Sequence, residues 1–378
     1  MKFGTRIIHN GHEIDSATKA LGVPIYQVST YNQDSFDHFG KYDYARSDNP
    51  TREALEETIA SLENGSRGFA FASGMAAIST ALLLFSPGEH LVVSEDVYGG
   101  TFRVLTQLFS RLGIEATFVD TTNCEVIRGA IRPNTRGLYL ETPSNPLLKI
   151  TDLEGAAAIA RENGIITLVD NTFMTPYLQR PLDLGGDIVL HSGTKFLNGH
   201  SDVICGFAVV KDPELGKRIR FLQNAFGAIL GPQDSWLVLR GLKTLKVRMD
   251  ESQRSAVAVA EWLARQERVE EVIYPGLVSH SGFAIHQRQA SGPGAVLSFR
   301  LSSLALTRKL LEEIRLAAFA VSLGGVESIV SYPAKMSHAA MPPQERDARG
   351  ISDTLIRLSV GLEDSDDLIA DLDRVLNG

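Results

Sequence analysis

Short apolar runs alternate with helical segments between residues 51 and 232, and this alternation constrains the fold more than any other feature. Apolar runs of this length are typical of strands that are buried on both faces of a parallel sheet. Strands joined through helices form right-handed crossovers. We therefore predict an α/β domain with a mainly parallel sheet covered by helices on both sides. The predicted strands are 67–72, 91–94, 114–120, 137–141, 165–170 and 187–191, with helices such as 75–85 and 153–162 between them.

The pattern changes after residue 232, where a smaller α+β domain is predicted to span 233–378. Because 378 residues exceed the usual limit for one hydrophobic core, the length also favours two domains. Residues 1–50 are polar and rich in turn-forming residues, so we predict an arm that is either loose or folded onto another subunit. The elements predicted in the C-terminal domain are helices at 235–265 and 306–316, strands at 269–274, 295–300 and 355–360, and a last helix with apolar residues at 368, 369, 372, 375 and 376.

Composition and motifs narrow the functional classes. A formal net charge of −8 argues against a surface that binds polyanions such as nucleic acids. Cys124 and Cys205 are far apart in sequence and have no CxxC spacing, which fits a reducing compartment and neither a disulfide framework nor a zinc site.

The first residues do not form the apolar segment of a signal peptide, and a cytoplasmic enzyme is expected. The sequence contains no HExxH, P-loop or GxSxG motif, and no metal site is predicted.

A lysine and an aspartate follow two of the predicted strands. Lys195 comes shortly after the run 187–191, and Asp170 ends the run 165–170. Open α/β sheets bind their ligands at the carboxyl ends of the strands. An amine and a carboxylate held apart at one sheet edge suit pyridoxal phosphate (PLP), because the lysine would form a Schiff base and the aspartate would keep the ring nitrogen protonated. The pair therefore predicts a PLP-dependent enzyme.

Small and hydroxyl-bearing residues beside these strands are candidates for binding the phosphate. Ser73, Gly74 and Met75 join a strand to a helix, where free N–H groups favour an anion. Close packing of small residues at such a turn is an equally good interpretation. Ser192 and Thr194 add two hydroxyls next to the lysine, which is where the phosphate of PLP would lie.

Two further residues have both a functional and a structural interpretation. Tyr98 follows the strand 91–94 and can stack on a flat heterocycle, although a packing tyrosine is the alternative. Arg357 lies in an apolar, strand-like run, and a buried arginine needs an anionic partner. That partner is either an Asp or Glu of the protein or the α-carboxylate of an amino-acid substrate, and composition does not decide between them.

A series of short motifs connects these residues. They lie in order at 44–52 (YARSDNPTR), 73–77 (SGMAA), 96–101 (DVYGGT), 141–146 (ETPSNP), 170–172 (DNT), 192–195 (SGTK), 322–325 (SLGG) and 357–361 (RLSVG). Together they closely resemble the Cys/Met-metabolism family of fold-type I PLP enzymes, over nearly the whole chain. Two positions depart mildly from the family pattern, with Ala45 where Ser is usual and Asp48 where Gly is common.

The resemblance implies a role in binding the cofactor for many of these residues. Lys195 would carry PLP, Asp170 would pair with the ring nitrogen, and Tyr98 would stack on the ring and assist proton transfer. Residues that would hold the phosphate or otherwise contact the cofactor are Ser73, Gly74, Met75, Thr172, Ser192 and Thr194. Tyr44 and Arg46 would reach the phosphate of a neighbouring subunit, which implies a homotetramer built as a dimer of dimers.

The resemblance also implies a substrate site. Residues that would contact a sulfur amino acid are Asn145, Ser322 and Arg357 at its α-carboxylate, Asp43 and Arg103 at its distal end, and Tyr44 and Val321 near it. Within the family the chain is most similar to bacillar-type cystathionine β-lyases, so β-elimination of L-cystathionine is expected. The γ-lyases and γ-synthases that act on cystathionine typically have Glu at the position of Val321, and methionine γ-lyases have Cys at the position of Gly100. These γ-acting relatives remain the alternatives.

Overall fold

Two β-sheets organise the chain in the computed structural model. The structure describes residues 1–10, 14–15, 18–339 and 342–378, so parts of the predicted arm and of the C-terminal domain lie outside the described residues. The strands of the larger sheet are β1 (Arg67–Phe71), β2 (His90–Ser94), β3 (Glu115–Val119), β4 (Thr135–Glu141), β5 (Ile166–Asp170), β6 (Ile188–Ser192) and β7 (Gly206–Val210). They lie in the order β1-β7-β6-β5-β4-β2-β3.

The larger sheet is mainly parallel, as predicted. Strands β2 to β6 pair in parallel, whereas β7 lies antiparallel between β1 and β6. The predicted α/β architecture is thereby confirmed, although β7 was not among the predicted strands. A Cβ on Gly206, the first residue of β7, would lie 2.2 Å from the carbonyl oxygen of Ser73. Glycine is therefore required where β7 passes under the turn after β1.

Helices cover both faces of this sheet. On β6, Ile188 and Leu190 pack into one apolar cluster, while Val189 belongs to a cluster on the opposite face. This alternation follows from the two-residue period of a strand. The α-helices among the described residues are α1 (Phe3–His9), α2 (Pro50–Leu62), α3 (Gly74–Leu82), α4 (Gly99–Gln107), α5 (Cys124–Ala130), α6 (Leu153–Glu162), α7 (Thr175–Leu178), α8 (Pro213–Phe226), α9 (Pro232–Leu242), α10 (Leu245–Leu263), α11 (Phe283–Gln289), α12 (Leu304–Glu313), α13 (Pro343–Ala348) and α14 (Ser365–Asn377).

The second sheet is smaller and mostly antiparallel. Its strands are β8 (Val269–Ile273), β9 (Val296–Leu301), β10 (Ala318–Phe319), β11 (Ile329–Ser331) and β12 (Leu355–Ser359), in the order β10-β11-β12-β9-β8. Only the short pair β10 and β11 is parallel among these strands. Apolar residues of α10, α12 and α14 pack on it and form one core cluster.

The long helix predicted at 235–265 is two helices, α9 and α10, separated by Lys243 and Thr244. Arg248 explains the interruption, because its buried guanidinium donates hydrogen bonds to the carbonyl oxygens of Gly241 and Phe196, at 2.9 and 2.7 Å. A carbonyl at the end of α9 is thus satisfied by a side chain instead of by a continuing helix.

Before α2, the chain has little regular structure. Within 18–49 the structure shows no helix or strand, and Thr30 and Tyr44 form an isolated β-bridge. The segment ends at Asn49, whose side chain accepts hydrogen bonds from the N–H groups of Thr51 and Arg52 and so caps α2. None of the described helices is both long and apolar enough to cross a bilayer.

Candidate active site

One cavity of about 440 Å³ lies at the carboxyl ends of the parallel strands and is also lined by Ser331 and Arg357 of the smaller sheet. Asp170 is the last residue of β5 and Ser192 the last residue of β6. The residues predicted for the site that line this cavity are Ser73, Gly74, Met75, Tyr98, Arg103, Asn145, Asp170, Thr172, Ser192, Thr194, Lys195, Val321, Ser322 and Arg357. The cavity therefore brings together side chains from both sheets.

Lys195 lies in the turn that follows β6, and its amine points to the segment that precedes β11. The Nζ atom donates a hydrogen bond to Oγ of Ser322 at 2.6 Å. Burial, and next the positive charge of Arg357, lower the pKa of Lys195 to about 8. An appreciable fraction of this amine is therefore neutral near neutral pH, which an amine needs in order to attack a carbonyl.

Asp170 is a buried carboxyl at the floor of the cavity. Its Oδ1 accepts hydrogen bonds from the backbone N–H and the hydroxyl of Thr172, at 3.0 and 2.5 Å. Burial raises the pKa of Asp170, whereas the hydrogen bonds from Thr172 lower it. Among the described residues no cationic side chain forms an ion pair with Asp170. A protonated ring nitrogen would supply the missing positive charge.

The turn into α3 can accept a phosphate. Ser73 caps the helix, since its Oγ accepts a hydrogen bond from the N–H of Ala76 at 3.0 Å. The N–H groups of Gly74 and Met75, in the first turn, have no partner within the helix. A Cβ on Gly74 would lie 3.0 Å from Cβ of Ser192, so a side chain there would fill the space between the turn and the strand end. Free N–H groups at a helix N-terminus suit an anion.

Thr194 closes this side of the cavity. Its hydroxyl donates to the carbonyl oxygen of Cys205 at 3.2 Å and accepts from the N–H of the same residue at 3.0 Å. The backbone therefore fixes the hydroxyl, and its second lone pair is free for another donor. The N–H of Ser192 donates to the hydroxyl of Thr172 at 2.9 Å, and that hydroxyl donates to Asp170, so Thr172 connects the end of β6 to the carboxyl group.

Tyr98 stands at the start of α4, with its ring on the cavity and 40% of its surface exposed. Its backbone N–H donates to Oε2 of Glu141 at 2.8 Å. A Cβ on Gly100 would lie 2.4 Å from Cε1 of Tyr98 and 2.8 Å from Sδ of Met75. The absence of a side chain at residue 100 thus sets the position that the aromatic ring can occupy.

Arg357 lies in the middle of β12 and is buried. Its Nη1 donates to Oδ1 of Asn145 at 2.8 Å, and its Nη2 donates to the carbonyl oxygen of Ser322 at 2.7 Å. Its Nε is buried and has no hydrogen-bond partner. No carboxylate in the described ranges forms an ion pair with Arg357. Burial lowers the pKa of Arg357 to about 10, so the guanidinium is still positively charged at neutral pH. Of the two partners that the sequence left open, an external carboxylate is therefore favoured.

Three of the predicted residues lie outside the cavity. Asp43, Tyr44 and Arg46 belong to the segment before α2, and none of them lines the cavity of their own chain. The guanidinium of Arg46 lies over the ring of Tyr44, 5.5 Å from its centroid, and its Nε donates to Oδ1 of Asn224 at 3.3 Å. Within a single chain these three residues therefore do not contribute to the cavity.

Other residues at the cavity had no role in the sequence prediction. The most informative is Glu141, which is the first residue of the motif at 141–146 and ends β4 in the same way that Asp170 ends β5. Its position at a strand end was the signal that could have identified it. The cavity is also lined by Ile78, Phe173, Ile204, Leu323, Ser331, Met336 and Ser337, which are mainly apolar or small. Apart from Leu323, which belongs to the motif at 322–325, no sequence pattern distinguishes these residues from others of the same type.

Comparisons with known proteins agree with this chemistry. Residues 4–377 match the family described as Cys/Met metabolism PLP-dependent enzyme. A cystathionine β-lyase of Bacillus subtilis is 59% identical over 372 residues, which cover 98% of this chain and 95% of the relative. A cystathionine γ-lyase of the same organism is 50% identical over 376 residues, which cover 100% and 99%. The crystal structure of cystathionine γ-lyase from Lactobacillus plantarum complexed with L-serine has a TM-score of 0.98 at 47% identity, and covers 100% of this chain and 99% of that chain.

The fold and the cavity define a PLP-dependent enzyme of fold type I, as predicted from Lys195 and Asp170. The chain belongs to the Cys/Met metabolism PLP-dependent enzyme family. Pyridoxal phosphate is accordingly its cofactor, and its relatives are lyases, so the predicted cofactor and enzyme class are both confirmed. The residues present fit the cofactor, because they provide an amine, a carboxyl without a cationic partner and a helix N-terminus around one cavity.

Proposed function

We propose that the protein is a cystathionine β-lyase, which converts L-cystathionine into homocysteine, pyruvate and ammonia. The observation that carries the proposal is the convergence of Lys195, Asp170, Tyr98 and Arg357 on one cavity. The cystathionine β-lyase that is 59% identical over nearly both full lengths supports the choice of reaction.

Arg357 would orient the substrate. Asn145 and the carbonyl of Ser322 already hold its guanidinium, so it can bind a carboxylate without losing side-chain freedom at that moment. Its unpaired positive charge in a buried position favours the α-carboxylate of an amino acid. Binding there fixes the direction of the Cα–H bond relative to Lys195.

Lys195 would move the proton. When bound, PLP provides an electron-withdrawing ring that delocalises the charge left on Cα. Lys195 Nζ, held by Ser322 and with its pKa lowered to about 8, takes the proton from Cα. Tyr98 lies on the same cavity and assists this transfer. Asp170 keeps its negative charge at the floor of the cavity and so stabilises a cationic ring nitrogen.

The bond to sulfur breaks after the proton has left, when the electron pair on Cα forms a double bond to Cβ. The Cβ–S electron pair departs with sulfur as homocysteine thiolate, and the remaining three-carbon enamine hydrolyses to pyruvate and ammonia. The distal end of the substrate would lie toward Arg103 and Val321, both of which line the cavity.

Elimination at Cγ on the same scaffold is the second candidate, and the 50% identical cystathionine γ-lyase favours it specifically. The side chain of Val321 is 65% exposed at the cavity and offers no carboxylate. Gly100 likewise offers no thiol beside Tyr98. Neither position thus has the residue expected of the γ-acting relatives, and this supports β-elimination.

Product analysis separates the two reactions. The enzyme loaded with PLP is incubated with L-cystathionine, and pyruvate and 2-oxobutyrate are quantified by chromatography. We expect pyruvate to predominate, and a predominance of 2-oxobutyrate would refute the assignment. Val321→Glu should raise the share of 2-oxobutyrate, whereas Val247→Glu, at a residue 63% exposed on α10, should leave it unchanged.

We further propose that the enzyme is a homotetramer, a dimer of dimers whose active sites are shared between subunits. Tyr44 and Arg46 are then the residues that reach the phosphate in the neighbouring subunit, and Asp43 reaches the distal end of its substrate. Their position outside the cavity of their own chain supports this arrangement. Light scattering of the purified enzyme measures the oligomeric state directly, and a monomer would refute it.

A further inference from the structure

Two buried carboxyl groups lie side by side at the floor of the cavity. Glu141 ends β4 and Asp170 ends β5, and the two residues are register partners in adjacent parallel strands. Neighbouring strands are about 5 Å apart, and register partners point to the same face of a sheet. Both side chains are buried and both line the cavity.

The charges that face Glu141 do not neutralise the pair. Asp96, Asp170 and Arg357 are the charged groups whose fields act on Glu141. His191 acts on Asp170, but its Nε2 lies 2.6 Å from a carboxylate oxygen of Glu63. Arg357 directs its donors to Asn145 and Ser322 and forms no ion pair with a carboxylate within the described ranges. Because two buried carboxyl groups on adjacent strands disfavour each other's ionised form, one of them is expected to keep its proton.

Hydrogen bonding decides which carboxyl keeps the proton. Asp170 accepts two hydrogen bonds from Thr172, which stabilise its ionised form. Glu141 accepts one, from the N–H of Tyr98 to Oε2. Burial, and next the charge of Asp170, raise the pKa of Glu141 well above its usual range. A protonated ring nitrogen beside Asp170 would favour the same distribution.

We propose that Glu141 is a positioning residue that works as a neutral carboxylic acid. Oε2 of Glu141 accepts the hydrogen bond that fixes the backbone of Tyr98. Because Glu141 is protonated, the negative charge of the site is located on Asp170. The inference depends on the proposed roles of Tyr98 and Asp170. It adds that Glu141 is protonated, so that it can position Tyr98 without placing a second negative charge beside Asp170. A glutamine has the same shape and no charge, so it should replace Glu141 well.

The test compares Glu141→Gln and Glu141→Ala with the wild-type holoenzyme. Glu141→Gln should keep kcat and PLP affinity within about threefold of wild type, whereas Glu141→Ala, which loses the acceptor for Tyr98, should lose about tenfold or more in kcat. Glu115→Gln is the matched control, because Glu115 is exposed and pairs with Arg132 away from the cavity. Infrared spectroscopy of the holoenzyme should show a carboxylic-acid C=O band that disappears in Glu141→Gln and remains in Glu115→Gln.

A Glu141→Gln enzyme as impaired as Glu141→Ala would overturn the proposal, because it would show that the charge is needed. A wild-type spectrum without an acid band would overturn it as well. Should Glu141→Gln fail to fold, wild-type enzyme with 13C-labelled glutamate carboxyls provides the same test, since the band must shift with the label. None of these readouts depends on whether cystathionine yields pyruvate or 2-oxobutyrate, so the proposed function can fail separately.

Discussion

Arg357→Gln tests the substrate site most directly. The guanidinium is held at 2.8 Å from Asn145 and 2.7 Å from Ser322, and it lacks an anionic partner in the described part of the chain. A substrate carboxylate would supply two charge-assisted hydrogen bonds, each contributing about 1.5–3 kcal/mol. The two bonds together contribute about 3–6 kcal/mol, and the neutral Gln side chain can replace them with one ordinary hydrogen bond of about 1 kcal/mol at most. We therefore expect a loss of about 3–4 kcal/mol, which corresponds to a ~10²–10³-fold decrease in kcat/KM at about 1.4 kcal/mol per tenfold.

The assay is the steady-state release of pyruvate from L-cystathionine. PLP content should stay at the wild-type level, because the predicted cofactor contacts do not include Arg357. Arg240→Gln, at an exposed arginine of α9, controls for the loss of a positive charge and should change kcat/KM little. A decrease of less than about tenfold in Arg357→Gln would be inconsistent with a direct contact to the α-carboxylate.

Three further predictions follow from the geometry of the site and of α2. Uptake of PLP by the apoenzyme should accelerate as the pH rises through about 8, because burial lowers the pKa of Lys195 and the neutral amine is the nucleophile; a stopped-flow midpoint near 10 would contradict this. Inactive Lys195→Ala and weakened Arg46→Ala enzymes, unfolded and refolded together, should regain part of the activity if sites are shared, whereas recovery no greater than the sum of the two would exclude sharing. Asn49→Ala should lower the free energy of unfolding by about 1–2 kcal/mol, because α2 loses its cap, and an unchanged urea midpoint would refute this.

Much of the fold was predictable because the strands are short, apolar and separated by helices. The run predicted at 165–170 is β5 (Ile166–Asp170), and that predicted at 187–191 is β6 (Ile188–Ser192). The interruption between α9 and α10 was missed, because the only local signal is Gly241 near the end of α9, and a single Gly is tolerated inside a helix. It depends on contacts from Arg248 to residues distant in sequence, among them Phe196.

Part of the candidate site was also predictable, because the short apolar strands could be located in the sequence. Strand-end positions identified Lys195 and Asp170, since parallel strands end at one edge of a sheet. Glu141 was missed, although it also ends a strand, because its importance arises from the register that places it beside Asp170. Local sequence does not specify which strands are neighbours, and β4 and β5 are separated by α6.

The sequence by itself determined the α/β class, the chemical groups available and the strand ends that carry them. Only the tertiary structure decided what those groups contact, because the deciding hydrogen bonds span large separations: 127 residues from Lys195 to Ser322 and 212 from Arg357 to Asn145. Burial shifts the pKa of Lys195, and burial is a property of the packed chain and not of any local segment. The residue types are therefore encoded locally, whereas their ionisation and their partners follow from the packing of segments that are distant in sequence.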